Sequence, residues 1–373
     1  MKISDIKTYC VTYTPDRPFT NAIDWIKKRS VTLVKVITND GLVGWGEAYG
    51  PPEGIARIIE TYFKDKLLGA DPMRVEYLWQ LVQSKKGIPP GAVGGVDIAL
   101  WDLKAKALGV PLYELLGGKF CEDFLPYASG FPFKEDSPDS LEQLDKDIEK
   151  TVAQGFKAMK MKIGFGKERD AARISRVKKL VGSSVELMVD ANQGYNLMTC
   201  LEMAPFLKEC KVKWLEEPLP WHSFAGYKEL RAKIDIPIAA GESENTMQGY
   251  AEAITNGVVD VIQPDLPACG GITPAKRIAN LAFALQVEFQ PHIFGTILGL
   301  PAALHLLASM PNHQSWCVFP RPVLLEWEIN PNALAECILK EPITIKNGVV
   351  KVPEAIGLGV EVDEGAISRF LMK

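Results

Sequence analysis

Asp190, Glu216, Glu242, Asp265 and His292 recur at a spacing close to one strand plus one helix, and each lies at the end of a short apolar run: ELMVD, KWLEE, PIAAGE, VIQPD and VEFQPH. The pair Lys160 and Lys162 closes another such run, AMKMK. In a barrel of parallel strands the carboxyl ends of all strands converge on one face, so residues distant in sequence meet there. Asp190, Glu216 and Glu242 brought together would form a hard, all-oxygen site suited to Mg²⁺. Lys160 and Lys162 project to the same side of a strand, and two adjacent ammonium groups are expected to depress each other's pKa, leaving a free amine as a base near neutral pH. A carboxylate at Asp265 would fix the tautomer of His292 and raise the basicity of its other nitrogen. Glu217 is expected on the opposite side of its strand from Glu216, as a carboxylate behind the ligands or at a helix start rather than a ligand itself, and Asn192 is expected to steady the acidic side chains.

The elements that must position these residues follow from periodicity. From about 125 to 320 short apolar runs alternate with helical stretches such as LEQLDKDIEKTVAQG, which points to parallel βα units. Strands are expected near 125–128, 158–162, 186–190, 213–216, 237–241, 259–263, 286–290 and 316–318, the number that closes a barrel. Ahead of them, residues 1–13 and 31–47 read as strands, the second carrying a hairpin turn at Asn39-Asp40-Gly41. PDRPFTNAIDWIKKRS between them reads as an irregular loop. Pro52 to Leu116 turns helical, with Val96, Leu100, Leu103 and Ala107 on one face. The tail beyond about 340 returns to short strands and turns, and is expected to pack back onto the opening unit.

Length and composition narrow the function. At 373 residues the chain exceeds one ordinary core and suggests a barrel with a second domain. A hydrophobic content of 47% with 24% charged residues suits a soluble globular protein, and a net charge of -4 argues against nucleic acid or an anionic membrane as partner. Cys10, Cys121, Cys200, Cys210, Cys269, Cys317 and Cys337 are scattered without a C-x-x-C pair, which fits reduced thiols in the cytoplasm. Cys269 is expected as a small buried residue, and His305 and His313 lack the acidic partner that His292 has.

Together with VGWGEA, DIALWDLKAKALGVPLYELLGG, KMKIG, VDANQGY, WLEEPL, GES, QPD and QPH, these residues make the chain resemble the enolase superfamily, specifically its mandelate racemase-like branch, over nearly its whole length. The resemblance implies an α/β fold: a modified TIM barrel, (β/α)7β, over residues 125–335, under an α+β capping domain of residues 1–124 on which 336–373 packs. It implies Mg²⁺ on Asp190, Glu216 and Glu242, Lys162 as base on one face of the substrate, and the His292–Asp265 dyad on the other. Lys160 would touch the substrate carboxylate and Glu326 in LLEWE would donate a hydrogen bond to it, with Glu328 close by as the other candidate.

The chemistry so implied is abstraction of the proton α to a carboxylate through an enediolate. The main expectation is dehydration of a sugar acid. The alternatives are a two-base racemase or epimerase of a 2-hydroxy acid, and a binding protein that has lost turnover. Asp265 stands where muconate-type cycloisomerases and dipeptide epimerases carry a lysine, which argues against those activities. The expected partner is a small carboxylate substrate, with a homo-oligomer implied by the family. Specificity would come from Pro15 to Arg29 and from Tyr49 to Pro52, with Asp16, Arg17, Thr20, Asn21 and Trp25 as candidates.

Overall fold

A computed structural model of the chain describes residues 1–84, 87–134, 141–311, 318 and 321–372. Strands β1 (Ile3–Tyr13), β2 (Arg29–Thr38) and β3 (Val43–Ala48) form an antiparallel sheet in that order. Gly41 takes φ 87° in the β2–β3 hairpin and its N–H donates to Thr38 O at 3.0 Å. Strand β3, VGWGEA, alternates small and large residues for a reason of contact. A Cβ at Gly44 would lie 2.1 Å from Ala99 O, and one at Gly46 would lie 2.1 Å from Gly95 O. The two glycines therefore let the strand lie directly on the helix Pro90–Leu108, which starts on a proline and ends at Gly109 with φ 71°.

The barrel strands are β4 (Asp123–Gly130), β5 (Ala158–Lys162), β6 (Glu186–Asp190), β7 (Val212–Glu216), β8 (Ile238–Ala240), β9 (Val261–Ile262), β10 (Glu288–Phe289) and β11 (Val323–Glu328). They run in the order β10-β9-β8-β7-β6-β5-β4-β11, with every neighbouring pair parallel. Helices Leu141–Ala153, Lys167–Val181, Leu197–Glu209, Phe224–Lys233, Met247–Thr255, Ile272–Ala284 and Gly299–Ala308 fill the intervals, giving (β/α)7β. Because strand side chains alternate, one interior layer is Tyr127, Ala158, Met188, Trp214, Ala239, Val261 and Leu324, and the next layer towards the carboxyl ends carries Lys160, Asp190 and Glu216.

The closing strand corrects one sequence expectation. The run expected near 316–318 lies, Val318 apart, outside the described residues, and the strand beside β4 is Val323–Glu328. SWCVF has the apolar look of a strand, but Pro320 and Pro322 follow it, and pairing starts only after Pro322. Among the described residues no main-chain ladder joins β11 to β10. Side chains bridge that seam instead: Gln290 Nε2 donates to Leu324 O at 3.1 Å, while Glu326 and Glu328 accept from the Ile293 and Gly295 N–H groups at 2.8 and 2.9 Å.

The stretch read as an irregular loop also differs. Phe19–Thr20 and Trp25–Ile26 are short antiparallel strands, and Phe133–Lys134, from the segment after β4, pairs on the other edge of Phe19–Thr20. The tail reaches both parts of the molecule. Met372 N donates to Cys10 O at 2.9 Å and Lys35 Nζ pairs with Glu364 at 2.5 Å, while Val350 pairs with Phe124 of β4. Among the described residues no helix is long and apolar enough to cross a membrane.

Gly46→Ala forces β3 off its helix, and we expect it to cost about 1–3 kcal/mol of stability. Urea denaturation of the variant checks this, and an unchanged midpoint would show that strand and helix can separate freely.

Candidate active site

Four successive barrel strands deliver a charged residue to the same mouth. Lys162, Asp190 and Glu216 are the last residues of β5, β6 and β7, and Glu242 follows β8 after Gly241. One carboxylate oxygen from each of Asp190, Glu216 and Glu242 lies within 4.8 Å of the others. Asp190 and Glu216 are fully buried, whereas Glu242 lines a cavity of about 650 Å³ above them. Asn192 is placed as expected: its N–H donates to Asp190 Oδ1 at 2.8 Å and its Nδ2 to Glu242 Oε1 at 3.2 Å.

Asp265 and His292 pair as a parallel bridge between their chain segments, and His292 Nδ1 lies 2.9 Å from Asp265 Oδ2. The other imidazole nitrogen, Nε2, is 3.3 Å from Glu242 Oε2. Lys162 and His292 both line the cavity, with Phe294 beside each of them. Lys162 Nζ donates to Asp190 Oδ2 at 2.5 Å.

Lys160 sits lower. It is 0% exposed, pairs with Glu216, and contacts Glu326 Oε1 at 2.7 Å. Glu326 is held further by the Ser129 hydroxyl at 2.7 Å and the Ile293 N–H at 2.8 Å. Glu328 faces elsewhere, pairing with Arg29 of β2. Arg29 is itself buried between the rings of Phe19 and Phe294, at 5.1 and 4.8 Å. Lys160, Asp190, Glu216 and Glu326 thus form a charged floor that the cavity does not reach directly.

The electrostatics reverse one expectation. Burial alone would lower the pKa of both lysines, and Lys160 lowers that of Lys162 further, as anticipated. Glu216 and Glu326 around Lys160, and Asp190 and Glu242 around Lys162, outweigh both effects and hold the two pKa values above the ordinary lysine value. His292 behaves likewise: burial lowers it, but Glu242, Glu326 and Asp265 raise it to about 10. Glu216 is pushed up to about 7 by burial against the pull of Lys160, whereas its neighbours Lys162 and Lys160 keep Asp190 low despite burial.

Several participants escaped the sequence reading. Trp214 Nε1 and Gln263 Nε2 both donate to Glu216 Oε2 at 2.9 Å. Trp214 and Gln263 stand two residues before Glu216 and Asp265, and Gln290 stands two before His292, so the strand period marks all three as inward-facing. Glu217 was expected to turn away. Its φ of 37° breaks the strand alternation, and its side chain lines the cavity, where burial and then Glu242 and Asp190 push its carboxyl up to about 8. Glu47 of β3 was also missed as a contributor. Its carboxylate crosses to the segment after His292 and accepts the N–H groups of Ile297, Leu298 and Gly299 at 2.7, 2.7 and 3.2 Å.

Comparison with known proteins gives a consistent picture. The mandelate racemase / muconate lactonizing enzyme N-terminal domain family matches residues 4–117, and the enolase C-terminal domain-like family matches residues 143–366. The chain is 35% identical to the D-galactarolactone cycloisomerase of Agrobacterium fabrum, covering 100% of this chain and 99% of that one. It is 31% identical to the arabinonate dehydratase of Saccharolobus solfataricus, covering 100% of both. The crystal structure of the 3,6-anhydro-D-galactonate cycloisomerase from Zobellia galactanivorans superposes with a TM-score of 0.88 at 33% identity, covering 100% of both chains.

Two measurements on the metal-free protein follow from this charged floor. Lys160→Met leaves Glu216 and Glu326 buried without their shared counter-ion, and we expect it to cost about 3–5 kcal/mol in urea denaturation. His292, raised from 6.5 to about 10, contributes stability that is complete below its unfolded value and is lost as pH rises through about 10. Thermal melts across that alkaline range should therefore fall more steeply for the native chain than for His292→Asn.

Proposed function

The chain belongs to the mandelate racemase / muconate lactonizing enzyme family within the enolase superfamily, and from that membership we propose an enzyme that removes the proton α to the carboxylate of a sugar acid and expels the β-oxygen. The observation that carries this reading is that Lys162 and the Asp265–His292 pair line one cavity directly above three carboxylates whose oxygens lie within 4.8 Å of one another.

The donor set fits Mg²⁺. Asp190, Glu216 and Glu242 offer only hard oxygen donors, and Asn192 Oδ1 and Glu217 Oε1 beside them are buried without a protein partner. When bound there, a divalent cation supplies positive charge beside the substrate carboxylate, where negative charge grows, and offsets the field that keeps Lys162 protonated.

The chain's own residues divide the remaining work. Lys162 Nζ takes the α-proton, and the electron pair left behind spreads over the carboxylate as an enediolate. His292 Nε2, with Asp265 fixing Nδ1, gives its proton to the β-hydroxyl as the C–O bond breaks, so that water leaves and an enol remains to become a 2-keto-3-deoxy acid. Asp265 on Nδ1 fixes the ring and supports its protonated form, which suits it to this acid role. Lys160 and Glu326 complete the charged floor beneath the cavity and act on the substrate carboxylate through Glu216 and Asp190 rather than by contact.

A closely related reading has its own support. The relatives from Agrobacterium fabrum and Zobellia galactanivorans are named as cycloisomerases of D-galactarolactone and of 3,6-anhydro-D-galactonate, respectively. In a 3,6-anhydro acid the ring oxygen on C3 is β to the carboxylate, so the same elimination opens the ring without losing water. Racemisation uses the same two groups with His292 returning the proton to the carbon.

We expect Mg²⁺-dependent exchange of the α-proton with solvent deuterium on a sugar acid, abolished by a chelator and restored by Mg²⁺. Lys162→Ala should lower product formation by about 10²–10⁴-fold. His292→Asn should suppress loss of the β-oxygen while retaining α-exchange, with products followed by mass spectrometry. Negligible loss from both variants would remove the two-residue assignment, and no exchange with any acid would leave a binding protein.

A further inference from the structure

We propose that the cavity selects sugar acids with a single carboxylate, aldonates and anhydro-aldonates, against dicarboxylic aldarates of the same configuration. This rests on the reading above, in which the substrate carboxylate sits at the carboxylate cluster and the rest of the molecule extends towards the capping loops.

Charge in the cavity is distributed unevenly along that direction. Its cationic side chains among the described lining residues, Lys162 and His292, stand at the inner end, and both are already paired, with Asp190 and with Asp265 and Glu242. The outer wall presents apolar surface from Phe19, Tyr49 and Ile55, and neutral amides from Asn245 and Asn330. Such groups suit a polyhydroxylated chain, which offers donors, acceptors and C–H faces but no charge.

Among the described lining residues, the remaining charges in the outer part are negative. Glu244 lines the cavity and is fixed there: its Oε1 accepts the N–H groups of Asn245 and Thr246 at 2.9 and 2.7 Å, and its Oε2 accepts Trp221 Nε1 at 2.7 Å. Asp24, just before the short strand Trp25–Ile26 of the capping loop, also lines the cavity, with its Oδ1 tied to the Trp25 N–H at 2.7 Å. The nearest buried cation of the cap, Arg29, is committed to Glu328 and covered by Phe19 and Phe294. Lys27 and Lys28 are exposed and do not line the cavity. A second carboxylate at the far end of a substrate would therefore lose water to face Asp24 and Glu244. Specificity of this kind arises from repulsion of the wrong ligand as much as from attraction of the right one.

The test uses the full chain with Mg²⁺ and matched aldonate and aldarate pairs, measuring binding by calorimetry, α-deuterium exchange, and kcat/KM. Like charges set against each other at a binding surface cost enough that we expect aldonates to be favoured by about 100-fold or more. Asp24→Arg, which reverses one exposed charge, should narrow that ratio by about tenfold through better aldarate binding. Aldarates bound as well as or better than aldonates would overturn the proposal, as would a ratio that Asp24→Arg leaves unmoved. Absence of exchange with every acid would instead overturn the proton-abstraction reading, and the binding ratio would still decide this one. No binding of either class would overturn both.

Discussion

Negative charge concentrated at the carboxyl ends of neighbouring strands is the constraint around which this molecule is organised. Asp190, Glu216 and Glu326 are buried together, and a buried carboxylate is tolerated only when a counter-charge and hydrogen bonds replace the lost water. Lys160 supplies the charge from within the floor, while Trp214, Gln263 and Ser129 supply donors. The two lysines of β5 therefore have separate environments although they share a strand face. One is sealed among carboxylates, and the other opens onto the cavity.

The capping domain reaches the same centre through a short list of buried polar contacts. Gly44 and Gly46 bring β3 against its helix, and the same strand carries Glu47 to three N–H groups beyond His292. Arg29 reaches Glu328 and stacks on Phe294, the ring that also borders Lys162 and His292. The segment from Ile293 to Gly299 is thus clamped by the cap at one end and by β11 at the other. The cap shapes the cavity and at the same time holds still the peptide that follows the imidazole.

What could be read from sequence was whatever depends on local period. Apolar runs ending in a charge located most barrel strands, and the convergence of Asp190, Glu216 and Glu242 follows from parallel topology alone. What escaped depends on contacts across the fold. The direction of the lysine shifts turns on how many carboxylates surround each amine, which no spacing reveals. Glu217 reaches the cavity because of one left-handed residue conformation, and Phe19–Thr20 forms a strand by pairing with Trp25–Ile26 and with the distant Phe133–Lys134. Arg29 and Glu47 carried no motif that points across to the barrel.

The seam between β10 and β11 has a consequence of its own. Elsewhere the hoop of strands is woven from peptide groups, but here it is riveted by Gln290, Glu326 and Glu328, and the Glu326 rivet is also part of the charged floor. The mechanical joint and the charged floor share one carboxylate. Loosening the hoop at that joint would take from Lys160 one of its counter-charges while most of the woven circumference is still intact.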